Sequence, residues 1–307
     1  FANFVRAFVG HYSVAPYNVT NWEFFNEGDN TDMGQIGSFL GGCFGNDPAA
    51  YVDMLHIAYD TVKQINPEAK VLPGGFAHES DPSFFNFKFI DQILALGAAR
   101  YFDVMNIHYY SCYAPVWAAY GPDVIGKVTA VRQLMARYGV DKPVAVTEIG
   151  YVNSHREADD FQEKQAQYAT KVLARAKAAD LYTIIWFSLF DWNEREYPYG
   201  LINLQVQPRQ AYLAFQVAAA QFGSAKFERQ ISSAEIGATG PVEGYIFEAG
   251  GKERWVLWSE MGNVQVTLPP GVSSAQNNAG QPSTHINSAS PGGTVTLGES
   301  PLYMSLR

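Results

Sequence analysis

Asn21-Trp22-Glu23-Phe24-Phe25-Asn26-Glu27 is an apolar run that closes on an Asn-Glu pair and then breaks into Gly28-Asp29-Asn30. A second run of the same kind, Val144-Ala145-Val146-Thr147-Glu148-Ile149-Gly150, also carries an acid near its end. Both read as strands whose carboxylate sits where a buried segment gives way to a loop. Desolvating a charge is unfavourable unless it is paired, so acids in such places point to a role other than packing. Glu23 alternates with Phe25 on the first run, which turns it outward between helices.

Around these runs, helical and strand patterns alternate. Phe1, Phe4, Val5, Phe8 and Val9 recur at helical spacing over residues 1–11, and a strand follows over 19–27. Residues 34–47 form a Gly-rich loop. Pro48 suits the first turn of a helix that runs to about Asn66. The order then continues as strand 70–76, helix 84–96 ended by Gly97, strand 102–110, helix 122–138, strand 143–149, helix 159–179, strand 182–192 and helix 208–222. The helix over 159–179, with Ala, Lys, Gln and Arg throughout, reads as a solvated outer face. Pro73-Gly74-Gly75 is a turn and not a phosphate cradle, since no Gly-Lys-Ser/Thr follows.

Five such alternations predict an α/β fold with parallel strands and helical crossovers. The strands are near-continuous apolar runs, as expected when both faces are covered. From about Lys226 the pattern changes to short strands: Gly244-Tyr-Ile-Phe, Arg254-Trp-Val-Leu-Trp and Asn263-Val-Gln-Val-Thr-Leu, with a Ser/Gly/Asn/Pro-rich stretch over 271–293. The expectation is a (β/α) domain over 1–224 and a small all-β sandwich domain over 225–307.

Composition bounds the function. The chain has 307 residues, 47% hydrophobic and 17% charged, with a formal net charge of -9. That balance is globular and acidic; it argues against nucleic-acid and anionic-membrane partners. Aromatics reach 14%, which fits either a large core or a ring-lined cleft. Cys43 and Cys112 are not at metal-ligand spacing, and both a disulfide and two free thiols are compatible with the sequence. No run approaches the length of a membrane span, and no metal or organic cofactor is expected. Asn18-Val19-Thr20 is a glycosylation sequon. The chain opens at Phe1 without Met in what reads as mid-helix, so residues before Phe1 are expected and secreted or cytoplasmic localisation both stay open.

In a (β/α) barrel, functional groups sit at the C-terminal ends of the strands. Here those ends carry Asn26 and Glu27, His108 and Tyr110, Glu148, and Trp186 with the Asp191-Trp192 pair. Two acids on such a rim fit double displacement at an anomeric carbon, in which one carboxyl gives a proton and the other attacks carbon. The pattern assigns Glu27 as acid/base and Glu148 as nucleophile. Tyr110 is placed to hydrogen-bond Glu148, Asn26 to hold a sugar hydroxyl, and Trp186 to floor the sugar.

The ordered set of a strand ending Asn26-Glu27, a strand with Gly74-Gly75, a strand with His108-x-Tyr110, a strand ending Thr147-Glu148-Ile149-Gly150 and a strand with Trp186 resembles the clan A retaining glycoside hydrolases, family 39 most of all. Tyr199-Gly-Leu-Ile-Asn203 followed by Pro208-Arg-Gln-Ala-Tyr212 is similar to that clan's passage into its last helix. The resemblance covers about residues 1–222. It implies a β-linked carbohydrate substrate and roles for Asn26, Glu27, His108, Tyr110, Glu148 and Trp186. In the clan, Asn-Glu ends the fourth barrel strand, whereas only one helix precedes it here. The resemblance therefore implies an incomplete (β/α)8 TIM-type barrel, strands four to eight, open along one side. Bare sheet edges template pairing with other chains, so self-association through the open side is expected. The alternative is a catalytically silent remnant that binds glycans.

Overall fold

The computed structural model describes residues 1–31, 44–78, 84–111, 115–151, 160–191, 198–283 and 292–306. Cys43, Cys112 and Trp192 lie outside the described residues, as does much of the 34–47 loop. No described helix is long and apolar enough to cross a membrane.

The described chain forms two compact units, residues 1–149 with 181–186, and residues 150–180 with 187–307. This division differs from the boundary expected at 224/225.

The first unit holds α1 (Ala2–Tyr12), β1 (Asn21–Phe24), α2 (Pro48–Ile65), β2 (Lys70–Pro73), α3 (Phe89–Ala95), β3 (Met105–Tyr110), α4 (Asp123–Ala136), β4 (Val144–Gly150, its last residue in the second unit) and β5 (Ile184–Trp186). The α2 N-terminus shows why local chemistry matters: Pro48 opens the helix and the Asp47 carboxylate accepts the Ala50 N–H at 3.0 Å. β1 and β2 pair in parallel, a parallel bridge between Phe76 and Ile107 carries β2 on to β3, and β3-β4-β5 follow in order. Among the described residues, β1 and β5 are therefore the outer strands. Several elements are shorter than the pattern predicts. The helix expected over 84–96 is Phe89–Ala95, and the strand expected over 182–192 is Ile184–Trp186. Under the sheet, Tyr51 of α2 packs edge-on against Phe76 and Phe89 and accepts the Gly74 N–H at 2.9 Å.

The second unit contains α5 (Phe161–Ala178), α6 (Gln210–Phe222) and β6 to β12: Lys226–Gln230, Glu243–Ala249, Lys252–Trp258, Val264–Thr267, Val272–Asn277, Thr294–Leu297 and Leu302–Leu306. Five of these strands form one sheet in the order β10-β12-β8-β7-β6, and β11-β9 form another. Ile246, Trp255, Leu257 and Met304 from the larger sheet share one core with Val264, Val266, Val295 and Leu297 from the smaller. The helix α5 corrects the sequence reading: it is not a solvated face. Lys171 and Arg175 are buried, Arg175 forks onto Glu243 at 2.8 and 2.7 Å, and Lys171 reaches Glu260 at 3.0 Å. Buried cations are tolerated when they are paired in this way, and helical charge counting cannot see partners that arrive from a strand 68 residues later.

Candidate active site

β1 ends at Phe24, and the chain then turns sharply. Phe25 and Glu27 have positive φ of 75° and 45°, conformations that non-glycine residues seldom adopt outside turns and functional sites. The turn is anchored by the Glu27 N–H, which donates to the Gly75 carbonyl at 3.1 Å. It delivers the Glu27 carboxylate to the exit of β3, where His108 Nδ1 lies 3.1 Å from Glu27 Oε1. The same nitrogen is 3.6 Å from Glu148 Oε2 on β4. One side-chain atom each from Glu27, His108 and Glu148 falls within 4.8 Å of the others. Tyr110, two residues beyond His108 and on the same strand face, donates its hydroxyl to Glu148 Oε2 at 2.9 Å.

Gly75 makes room for this arrangement. A methyl group there would lie 2.0 Å from His108 Nε2, so only a residue without Cβ lets the imidazole sit flat at the exit of β2.

Burial sets the charge states. Desolvation pushes the Glu27 carboxyl up to about 7, against a lowering pull from Lys127. Burial also raises Glu148, while His108 and the Tyr110 hydroxyl oppose it. His108 is itself pushed down by burial. Its Nδ1 faces both acids, and the charge of Glu148 acts against that shift. Both carboxyls are thus raised by burial, and the Tyr110 hydroxyl favours the ionised form of Glu148. The trio would also span a single cation.

Trp186 is buried on β5 and pairs in register with Ile149, the residue after Glu148. Asn26 is exposed beside Glu27. Asp191 is drawn elsewhere, accepting the Gly200 N–H at 2.7 Å and pairing with Arg209 at 2.5 Å. Glu23 corrects the sequence reading. It does not turn outward between helices, because its carboxylate accepts the Gly75 N–H at 2.9 Å and the Thr147 hydroxyl at 3.3 Å.

Sequence reasoning missed four further groups beside the pair. Asn106 donates to Thr147 Oγ1 at 2.8 Å, Asp29 and Lys127 are fully buried, and His78 is nearly so. Lys127 had a legible signal: it stands at helical spacing with Val124, Val128 and Val131, all buried, so it lies on the apolar face of α4.

Two expected outcomes arise from this geometry. Tyr110→Phe removes a donor to an ionised oxygen, an interaction of about 1.5–3 kcal/mol. The acidic limb of the pH–activity profile should then move up by about one to two units, with little change in melting temperature; an unmoved limb separates Tyr110 from Glu148. Glu27→Gln concerns stability. The folded-state pKa of about 7 lies above the ordinary 4.5, so folding favours the protonated form. The penalty on ionised Glu27 is absent below pH 4.5, grows through the interval to about 7 and is complete above it. The Gln variant should therefore be more stable than the parent at pH 8, by up to about 3 kcal/mol, and equal to it near pH 4. Urea denaturation at the two pH values reads the difference, and equal stability at both rejects a buried, strained acid.

The sequence matches no family model and no curated protein. The fold has solved counterparts. A family 39 glycoside hydrolase from Bacteroides cellulosilyticus WH2 superposes with a TM-score of 0.72 at 19% identity, over 100% of this chain and 61% of that one. A monomeric β-xylosidase from Caulobacter crescentus CB15 gives 0.63 at 17%, over 100% and 74%. A family 30 endoxylanase from Clostridium papyrosolvens C71 gives 0.62 at 14%, over 100% and 70%. The chain thus has the fold of family 39 and related glycoside hydrolases, and spans under two thirds of the length of the first of them.

Proposed function

We propose that this chain carries the acid/base and nucleophile of a retaining β-glycosidase. The observation that supports this most is the approach of Glu27 and Glu148 to within 4.8 Å around one imidazole. Separations near 5–5.5 Å suit retention, since roughly 6.5 Å or more is needed to admit a water between the carboxyls.

In the first step the Glu148 carboxylate attacks the anomeric carbon, and the bond to the leaving oxygen breaks as Glu27 delivers its proton to that oxygen. A glycosyl ester on Glu148 results. In the second step Glu27, now ionised, takes a proton from water; the hydroxide oxygen bonds to the anomeric carbon and Glu148 leaves as carboxylate. Tyr110 steadies the charge on Glu148 throughout. His108 holds the Glu27 carboxyl, Asn26 meets a sugar hydroxyl, and Trp186 provides the apolar floor. No metal or organic cofactor enters either step.

The substrate in this reading is a β-linked xyloside, glucoside or galactoside. The fold is read as strands four to eight of a (β/α)8 barrel with a C-terminal β-sandwich, the shared core of the two β-sheets in the second unit supporting the latter. Hydrolysis of a panel of chromogenic β-glycosides by the pure chain tests the assignment, and inactivity on all of them would reject it.

Among the described residues, β1 and β5 are each paired along one edge only, which favours a second reading. A pair of acids on a sheet with an unclosed side lacks a wall to exclude water and orient substrate, which together supply much of the rate. Such a chain binds glycans without turning them over, and self-associates through its open side. Glycan binding without hydrolysis selects this reading. A monomer in light scattering at micromolar concentration removes its self-association.

A further inference from the structure

The peptide group between Ala77 and His78, just past the exit of β2, is held between two buried charges of opposite sign. On one side Lys127 of α4 donates from Nζ to the Ala77 carbonyl, and to the His108 carbonyl at 2.7 Å. On the other side Asp29 accepts the His78 N–H at 2.6 Å and the Ala77 N–H at 3.2 Å. Cation and anion are both fully buried, and they compensate one another through a polarised amide.

Each end of this bridge is one step from the proton-transfer pair. Asp29 follows Glu27 by two residues in the same turn, which also closes with the Asn30 N–H on the Glu27 carbonyl at 2.9 Å. Lys127 holds the main chain of His108, whose Nδ1 meets Glu27. Moving either charge moves the backbone under one member of the pair.

Resting on the reading of Glu27 as acid/base, we propose that Lys127 and Asp29 are positioning residues, a charge-balanced brace across the Ala77–His78 peptide that fixes Glu27 against His108 and sets the field at the Glu27 carboxyl. Among the described residues, the charged and titratable groups around that carboxyl are Glu23 on β1, Asp29 in its own turn, His78 past β2, His108 and Tyr110 on β3, Lys127 on α4 and Glu148 on β4. Lys127 favours the ionised form of Glu27 and Asp29 disfavours it, so the two halves of the brace act in opposite directions.

This opposition gives the test. In the full chain labelled with 13C at the glutamate side-chain carboxyls, NMR follows the titration of Glu27, assigned by the signal missing from E27Q. Lys127→Met should raise that titration and Asp29→Asn should lower it, each by about 0.5–1 unit, with unchanged circular dichroism. Where hydrolysis is measurable, the basic limb of kcat/KM should follow the same shifts. Shifts of one sign in both variants, or none in either, overturn the proposal. Should Lys127→Met not fold, Asp29→Asn keeps the side-chain shape and decides alone: a downward shift supports the brace and an unmoved titration overturns it. If the parent cleaves no glycoside yet the two variants shift Glu27 oppositely, the acid/base reading falls and the brace stands.

Discussion

Glu148→Ala should lower turnover of an aryl β-glycoside by on the order of 10⁴–10⁶-fold, the scale on which loss of a covalent nucleophile acts. The fall should lie in kcat, since the sugar contacts proposed for Asn26 and Trp186 are left in place while the bond-forming oxygen is gone. Truncation to alanine also leaves a space on the face of the sugar opposite the leaving group. Azide can occupy that space and attack the anomeric carbon directly. Activity on an activated substrate should therefore return with azide, and the product should be the glycosyl azide of inverted configuration. Retained activity without azide would remove Glu148 from the chemistry. Its tie to Tyr110 at 2.9 Å would then be structural only.

Glu27→Ala should behave differently, because the proton it supplies matters only as much as the leaving group needs it. Cleavage of a sugar or alkyl leaving group should fall by about 10²–10⁴-fold. With a dinitrophenyl leaving group, the first step proceeds and the glycosyl ester accumulates. Azide then attacks from the side of the departed leaving group, giving the azide of retained configuration. The two variants thus yield opposite anomers from one reagent. The basic limb of the pH profile, which the raised Glu27 carboxyl should set in the parent, should vanish in this variant. Equal losses for good and poor leaving groups would show that Glu27 is not the proton donor.

Much of this site could be read from the chain because strand exits are local events. Asn26-Glu27 follows an apolar run, and His108 and Tyr110 share a face by the two-residue period of a strand. The proposed link from Tyr110 to Glu148 corresponds to an observed hydrogen bond. The misses share a different physical origin. Glu23 was assigned outward by alternation, yet its carboxylate is claimed by the N–H of Gly75, just past β2, and by the Thr147 hydroxyl on β4. Asp29 lay in plain view as a loop acid; its burial depends on amides from residues 77 and 78, which no local pattern connects to it. The helix α5 looked solvated because the anions that Lys171 and Arg175 meet, Glu260 and Glu243, lie far along the chain. In each case, a polar side chain gained its meaning from a partner far away in sequence.

Gly75 has a genetic consequence. Every single-base change that replaces a glycine codon by another residue introduces a Cβ, and here that carbon would collide with the imidazole that both acids share. Mutational drift at this one position would disarm the chain while leaving both glutamates in the gene. A descendant could therefore keep both glutamates and lose the contact that joins them, so glycine at 75 belongs beside the two acids in any comparison of homologous sequences.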